Sequence, residues 1–170
     1  MKDPQRLVGL PPIVSSTTRL LILGSFPGAE SLARQQYYAH PQNHFWRILS
    51  AIWPVGPRGI SLDSYENRSN WLLDRGLGVW DVYAACERQG SLDAAIRNAE
   101  VNDFAGLARR CPQLRVIAHN GGESFKHARH TAALGLPVYR LPSTSPANAS
   151  WSLERKLVAW REVVAMAGLV

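Results

Sequence analysis

Four short aliphatic runs, each ending in a polar loop, constrain this chain more than any other feature. They are Arg19–Leu23, Leu77–Tyr83, Leu114–Ala118 and Pro137–Leu141. Short, nearly continuous apolar runs bounded by turn residues read as buried parallel strands. Helical patterns fill the gaps. Phe45, Ile48, Leu49 and Ile52 mark one face of a helix. A Pro/Gly-rich loop follows at Pro54–Gly59, then a helix over Asn67–Arg75 with Trp71 and Leu72 inward and Gly76 as its stop. Ser91–Arg97 reads as a short helix capped by Ser91 with Asp93 in its first turn. Asn102 or Asp103 caps a helix running to Arg110, Ser124–Ala133 forms another, and Leu153, Leu157 and Trp160 share one side of the last. Strands and helices in that alternation imply a parallel sheet covered on both faces. Ligands of such sheets bind at the carboxyl ends of the strands. The polar loops at 24–44, 81–91, 119–122 and 142–149 all follow strands, so they are expected to converge on one composite site.

The chain of 170 residues is expected to form a single domain, 1–170, with residues 1–18 an irregular arm broken by Pro4, Pro11 and Pro12. An apolar fraction of 46% argues against disorder. A net charge of +6 and a pI near 9.8 favour phosphate-bearing partners, although charge alone also serves solubility. Cys86 and Cys111 show neither metal-ligand spacing nor a disulfide framework, which suits a reducing, cytoplasmic setting. Leu7–Val14 is too short and too proline-broken for a signal peptide, and no apolar run is long enough to span a membrane.

The loop after the first strand is the most informative. Gly24-Ser25-Phe26-Pro27-Gly28 lacks the GxGxxG spacing of a dinucleotide site, and its proline removes an amide from the turn. Beyond it come Tyr37, Tyr38, His40 and Asn43, more rings and amides than a connector needs. That set suits a site gripping a flat heterocycle, and in a basic chain the heterocycle can belong to a nucleic acid.

Three segments, in order, resemble the uracil-DNA glycosylase superfamily: LILGSFPGAESLARQQYYAHPQNHFW, GVWDVYAACERQGSLDAAI with the nearby VNDF, and LPSTSPANASW, together with Leu10-Pro11-Pro12-Ile13. The resemblance is closest to the hypoxanthine (deoxyinosine) branch, with the mismatch-specific uracil/thymine branch more distant. It implies an α/β domain of three layers, α/β/α, with a four-stranded parallel sheet. It also implies a monofunctional DNA glycosylase without metal or cofactor, acting as a monomer on double-stranded DNA from which the damaged base is rotated out.

The resemblance assigns roles residue by residue. Tyr38 falls where relatives stack an aromatic ring on the extruded base. The mismatch branch carries an asparagine in the first turn, but this chain has Ser25-Phe26 there, an absence shared with the hypoxanthine branch. Asn43, in the HPxN segment, is then the expected catalytic residue, holding water or stabilising the sugar cation. Its competing job is to cap the helix from Phe45, which would claim the same oxygen. Gly24, the amides of Ser25 and Phe26, and Asp81 are expected to bind the base. Ser143, Thr144, Ser145 and Asn148 are expected at the DNA backbone, in the loop by which the superfamily pinches the phosphates and fills the gap left by the flipped base, and Leu141 stands where the superfamily often has histidine or asparagine. His119 reads as a structural histidine. Arg34, Arg47, Arg140 and Arg155 are phosphate candidates by nearness alone. The alternatives are a G:U/G:T mismatch glycosylase, a catalytically inactive DNA-binding member of the same fold, or a nucleotide-binding α/β protein.

Overall fold

The computed structural model describes residues 6–54 and 64–170. In chain order the elements are β1 (Arg6–Val8), β2 (Leu20–Gly24), α1 (Ala29–Arg34), α2 (Phe45–Ile52), α3 (Tyr65–Asp74), β3 (Leu77–Asp81), β4 (Tyr83–Glu87), a 3-10 turn at Asp93–Ala95 and β5 (Arg97–Val101). They continue as α4 (Phe104–Arg110), β6 (Val116–Asn120), α5 (Gly122–Phe125), α6 (Ala128–Ala132), β7 (Val138–Leu141) and α7 (Leu153–Met166). Beyond Pro54, the expected Pro/Gly-rich loop lies outside the described residues, as do the first five positions of the arm.

Four parallel strands in the order β3-β2-β6-β7 form the central sheet, as the sequence implied. Strand alternation along β2 divides the core in two. Leu20 and Ile22 face α2, α3 and α7 through Phe45, Ile48, Leu49, Trp71 and Trp160. Leu21 and Leu23 face the other way, against Phe104 and Leu107 of α4 and Val82, Tyr83 and Cys86. All four β2 leucine and isoleucine side chains are buried, each contributing about 1.5–3 kcal/mol relative to exposure. Among the described residues no helix is long and apolar enough to cross a membrane.

The structure corrects several boundaries. The run read as one strand from Leu77 to Tyr83 ends at Asp81. Val82 then donates its N–H to the Gly24 carbonyl (2.8 Å), Tyr83 donates to Ser25 (3.1 Å), and the chain leaves the sheet. β4 instead joins a small antiparallel sheet in the order β1-β4-β5. The arm read as irregular therefore supplies β1, and Ile13 adds a bridge to Val79. The helix expected at Ser91–Arg97 is only the 3-10 turn, because Arg97–Val101 pairs with β4 as β5. Ser124–Ala133 is two short helices broken at Lys126 and His127. Asp103, rather than Asn102, caps α4 by accepting from Gly106 N–H (2.9 Å).

Candidate active site

At the carboxyl ends of β2, β3, β6 and β7 the loops enclose a cavity of about 810 Å³, within the roughly 300–1,000 Å³ usual for ligand sites. Gly24, Ser25, Phe26, Tyr38, Asn43, Asp81, Ser143, Thr144, Ser145 and Asn148 all line it, so the sequence-expected residues converge on one site.

Asp81 ends β3 on the cavity floor, 5% exposed, with Oδ2 lacking any hydrogen-bond partner. Burial pushes its carboxyl up to about 7, the charge of Asp93 adds to the rise, and Arg88 opposes it. Arg88 does not satisfy the orphan oxygen, since it is turned to the carbonyls of Pro27 (2.6 Å) and Gly90 (2.9 Å). Gly24 lets this carboxyl approach β2. A Cβ there would stand 2.5 Å from Asp81 Oδ1 and 3.3 Å from the Tyr38 hydroxyl.

Tyr38 is held on two sides. Its ring stacks on Phe45 at a centroid distance of 3.9 Å, and its hydroxyl accepts from Asn120 Nδ2 (3.2 Å). Its φ of 53° is left-handed, a strained state for a tyrosine that surrounding contacts must impose. Burial, with Asp81 beside it, raises its hydroxyl pKa above the ordinary range.

Asn43 sits just before α2. Its Oδ1 accepts from Phe45 N–H (2.9 Å), so it does brace the helix start, while the formal N-cap is His44. The two roles do not exclude each other. A carbonyl oxygen has two lone pairs, and the helix bond fixes the direction of the second. His44 N–H donates to the Thr144 carbonyl (3.0 Å), tying this segment to the loop after β7. Lys156 of α7, 1% exposed, places Nζ 3.2 Å from His44 Nδ1, and burial lowers the pKa of both groups. An ammonium donating to a neutral imidazole fits both shifts.

Asn120, at the end of β6 rather than in a turn, is the clamp that sequence reasoning underrated. Besides holding Tyr38, it accepts from Thr144 N–H (3.0 Å) and donates to Thr144 Oγ1 (3.0 Å). Thr144, grouped on sequence with residues meeting DNA, is thus buried and anchors its loop from inside. Ser143 and Ser145 Oγ accept from the amides of Ser145 (3.1 Å) and Ala147 (3.2 Å), which leaves their O–H groups to donate outward. Asn148 Nδ2 closes the loop on the Ser143 carbonyl (3.1 Å). Opposite, Ser25 Oγ donates to Asp93 Oδ1 (2.6 Å) and Ser91 Oγ accepts from Ala29 N–H (2.9 Å). Leu92, between them, also lines the cavity.

His119 is structural. It is fully buried and contacts Ser124 Oγ and Thr131 Oγ1, both at 2.8 Å, and burial lowers its pKa to about 4. Of the four arginines named from sequence, Arg140 lines the cavity, Arg34 pairs with Glu30 (2.7 Å), and Arg155 lies 4.0 Å over the Trp151 ring. Among the described residues no group of three His, Cys, Asp or Glu is placed to hold a metal ion.

The uracil DNA glycosylase superfamily model matches residues 11–164, a span that contains this whole cavity. The chain belongs to the uracil DNA glycosylase superfamily. Within it, the chain is 38% identical over 154 residues to the hypoxanthine DNA glycosylase of Methanosarcina barkeri, covering 91% of this chain and 95% of that one. A hypoxanthine DNA glycosylase of Methanosarcina acetivorans is 37% identical over 87% of this chain and 92% of its own. The G/U mismatch-specific uracil DNA glycosylase of Schizosaccharomyces pombe is 30% identical over 62% of this chain but only 30% of its own length. A solution NMR structure of a candidate uracil DNA glycosylase from Methanosarcina acetivorans superposes with a TM-score of 0.83 at 35% identity, covering 96% and 99% of the two chains. The superfamily fold, the three layers and the four-stranded parallel sheet expected from sequence are therefore borne out.

Proposed function

We propose that this superfamily member is a monofunctional DNA glycosylase. It rotates a deaminated base, hypoxanthine first, out of double-stranded DNA and hydrolyses its N-glycosidic bond. The observation that carries the reading is the pairing of Tyr38 with the orphaned Asp81 in one cavity. The Tyr38 ring, backed by Phe45, is a stacking surface worth about 1–3 kcal/mol per base. A carboxyl titrating near 7 keeps much of its proton at neutral pH. Its O–H donates to hypoxanthine O6, and its other oxygen accepts from the adjacent N1–H. The amides of Ser25 and Phe26 complete the base contacts. The two Methanosarcina relatives support the choice of hypoxanthine.

The reaction is dissociative. The C1′–N9 bond breaks, its electron pair leaves with the base, and the sugar gains oxocarbenium character. Asn43 holds water through the lone pair of Oδ1 not given to Phe45, and orients it toward C1′. Water adds its oxygen to C1′ and loses a proton to solvent, while the departing base is stabilised by the Asp81 proton. Ser25 has neither carboxylate nor amide with which to orient the water, and its hydroxyl proton is given to Asp93. Ser143, Ser145 and Asn148 grip the backbone. We further propose that the protein acts on DNA as a monomer.

The test is strand scission by alkali after incubation with labelled duplexes carrying one hypoxanthine, one uracil opposite guanine, or one G:T mismatch. Scission fastest at hypoxanthine is expected. Scission only at uracil or thymine would move the chain to mismatch repair, and tight binding with no scission would leave an inactive DNA-binding protein.

A further inference from the structure

Lys156 occupies a place where α7 would ordinarily carry an apolar side chain. It is 1% exposed on the buried face of that helix. The ion pairs among the described residues are Arg6–Glu100, Arg34–Glu30 and Lys126–Glu123, so none of their carboxylates pairs with it. Burying an ammonium without a counter-charge is costly, and a methionine would fill the same space without that cost. What the lysine meets instead is His44, with Nζ 3.2 Å from Nδ1. An ammonium only donates, so Nδ1 accepts and the neutral ring carries its proton on Nε2. Burial, the charge of Lys156 from α7 and that of Arg47 from α2 hold the ring's pKa below its ordinary value of 6.5.

Three elements meet at His44. Its N–H donates to the Thr144 carbonyl of the loop after β7 (3.0 Å), its carbonyl accepts from Ile48 N–H in α2 (2.9 Å), and its ring is held from α7. Asn43 directly precedes it, donating its N–H to the His40 carbonyl (3.0 Å) and accepting at Oδ1 from Phe45 N–H (2.9 Å). Residues joined this closely move together, so a ring fixed to α7 limits how far the neighbouring amide can swing. We propose that Lys156 is a positioning residue for Asn43, acting through the His44 ring to aim the remaining lone pair of Asn43 Oδ1 at one point in the cavity. This assignment rests on the glycosylase reading above. Protonating His44 removes the acceptor and sets two cations against each other, so the joint opens as pH falls through the lowered pKa of the ring. Asp81 contributes no such fall, because acid favours its proton-bearing form.

The experiment compares wild type, Lys156→Met and His44→Asn in single-turnover release of hypoxanthine from a duplex, from about pH 8 down to about pH 5. Duplex affinity is measured alongside by fluorescence anisotropy. Lys156→Met is expected to cleave about 10–100-fold more slowly at the upper end, as for a misplaced reactant, with affinity within about twofold. As pH falls, wild type is expected to slow while Lys156→Met stays level, so the two rates converge. His44→Asn, whose Oδ1 accepts from Lys156 without titrating, is expected to lose the acid fall. A loss in Lys156→Met that is equal at every pH, a loss explained by weaker binding, or no loss at all would overturn the assignment. Should Lys156→Met fail to fold, His44→Asn decides alone, and an acid fall retained there would overturn it. No cleavage by wild type would defeat the glycosylase reading alone. The NMR signals of the Asn43 side-chain amide in free protein would then carry the test. A shift in Lys156→Met and in acidified wild type supports the assignment, and unchanged signals overturn it.

Discussion

Two buried titratable groups sit near the ends of strands in the same sheet, and they are treated oppositely. His119 in β6 is fully buried with both ring nitrogens engaged, by Ser124 and Thr131, while Ser124 Oγ also donates to the Leu23 carbonyl (2.7 Å). Asp81 in β3 is nearly as buried, but one carboxyl oxygen has no partner. A buried polar atom left unsatisfied costs about 1–3 kcal/mol, and on a residue that lines a cavity it marks a place a bound group can complete. The satisfied network holds strands and helices together. The unsatisfied one belongs to a residue that lines a cavity large enough for a base.

The sharpest way to break this contrast lies in the cavity. Asn43→Ala should slow single-turnover release of hypoxanthine by roughly 100–1,000-fold, as for loss of one polar group acting on a transition state, with the melting temperature lowered only by the weakened start of α2. His119→Ala should do the reverse. It strands the hydroxyls of Ser124 and Thr131 and should lower unfolding free energy by about 3 kcal/mol in denaturant titrations, while each folded molecule cleaves at the wild-type rate. Retained stability in that variant would show that the network is not structural.

The pH dependence sharpens the contrast further, because the two groups have opposite signs. Folded His119 stays neutral down to about 4 while the unfolded chain takes up a proton near 6.5, so its contribution is lost as pH falls through that window. Folded Asp81 keeps its proton up to about 7 while the unfolded chain loses it near 3.8, so stability is lost as pH rises through that window. Asp81→Asn should therefore unfold like wild type near pH 4 but be more stable at pH 8, by on the order of 2 kcal/mol. Cleavage of hypoxanthine should fall about tenfold in the same variant. The smallest effect expected is at the ring. Tyr38→Leu should weaken binding of a hypoxanthine duplex by about tenfold in fluorescence anisotropy, the loss of one stacked base.

How much of this was legible in the sequence follows from the range of the interactions. The four central strands and the loops after them were readable, because buried parallel strands are locally apolar and end in turn residues. Tyr38 and Asn43 stood out because rings and amides are costly ornaments for a connector. The second sheet was not readable: β5 is mostly exposed, β1 is three residues long, and their pairing is set by partners far along the chain. The isolation of Asp81 depends on Arg88 turning to two carbonyls, which no local pattern encodes. Lys156 was within reach. With Leu153, Leu157 and Trp160 it completes the 3.6-residue stripe of α7, so a charge on the buried face was visible before any coordinates. Its partner, His44, was not.

The most direct measurement is one NMR pH titration following the Asp81 carboxyl carbon and the His119 ring nitrogens, in free protein and in Asn43→Ala protein bound to a hypoxanthine duplex. The account predicts an Asp81 midpoint near 7 and a His119 midpoint near 4 in the free protein, with DNA shifting Asp81 and leaving His119 unmoved. An Asp81 midpoint near 4, unchanged by the duplex, would contradict it.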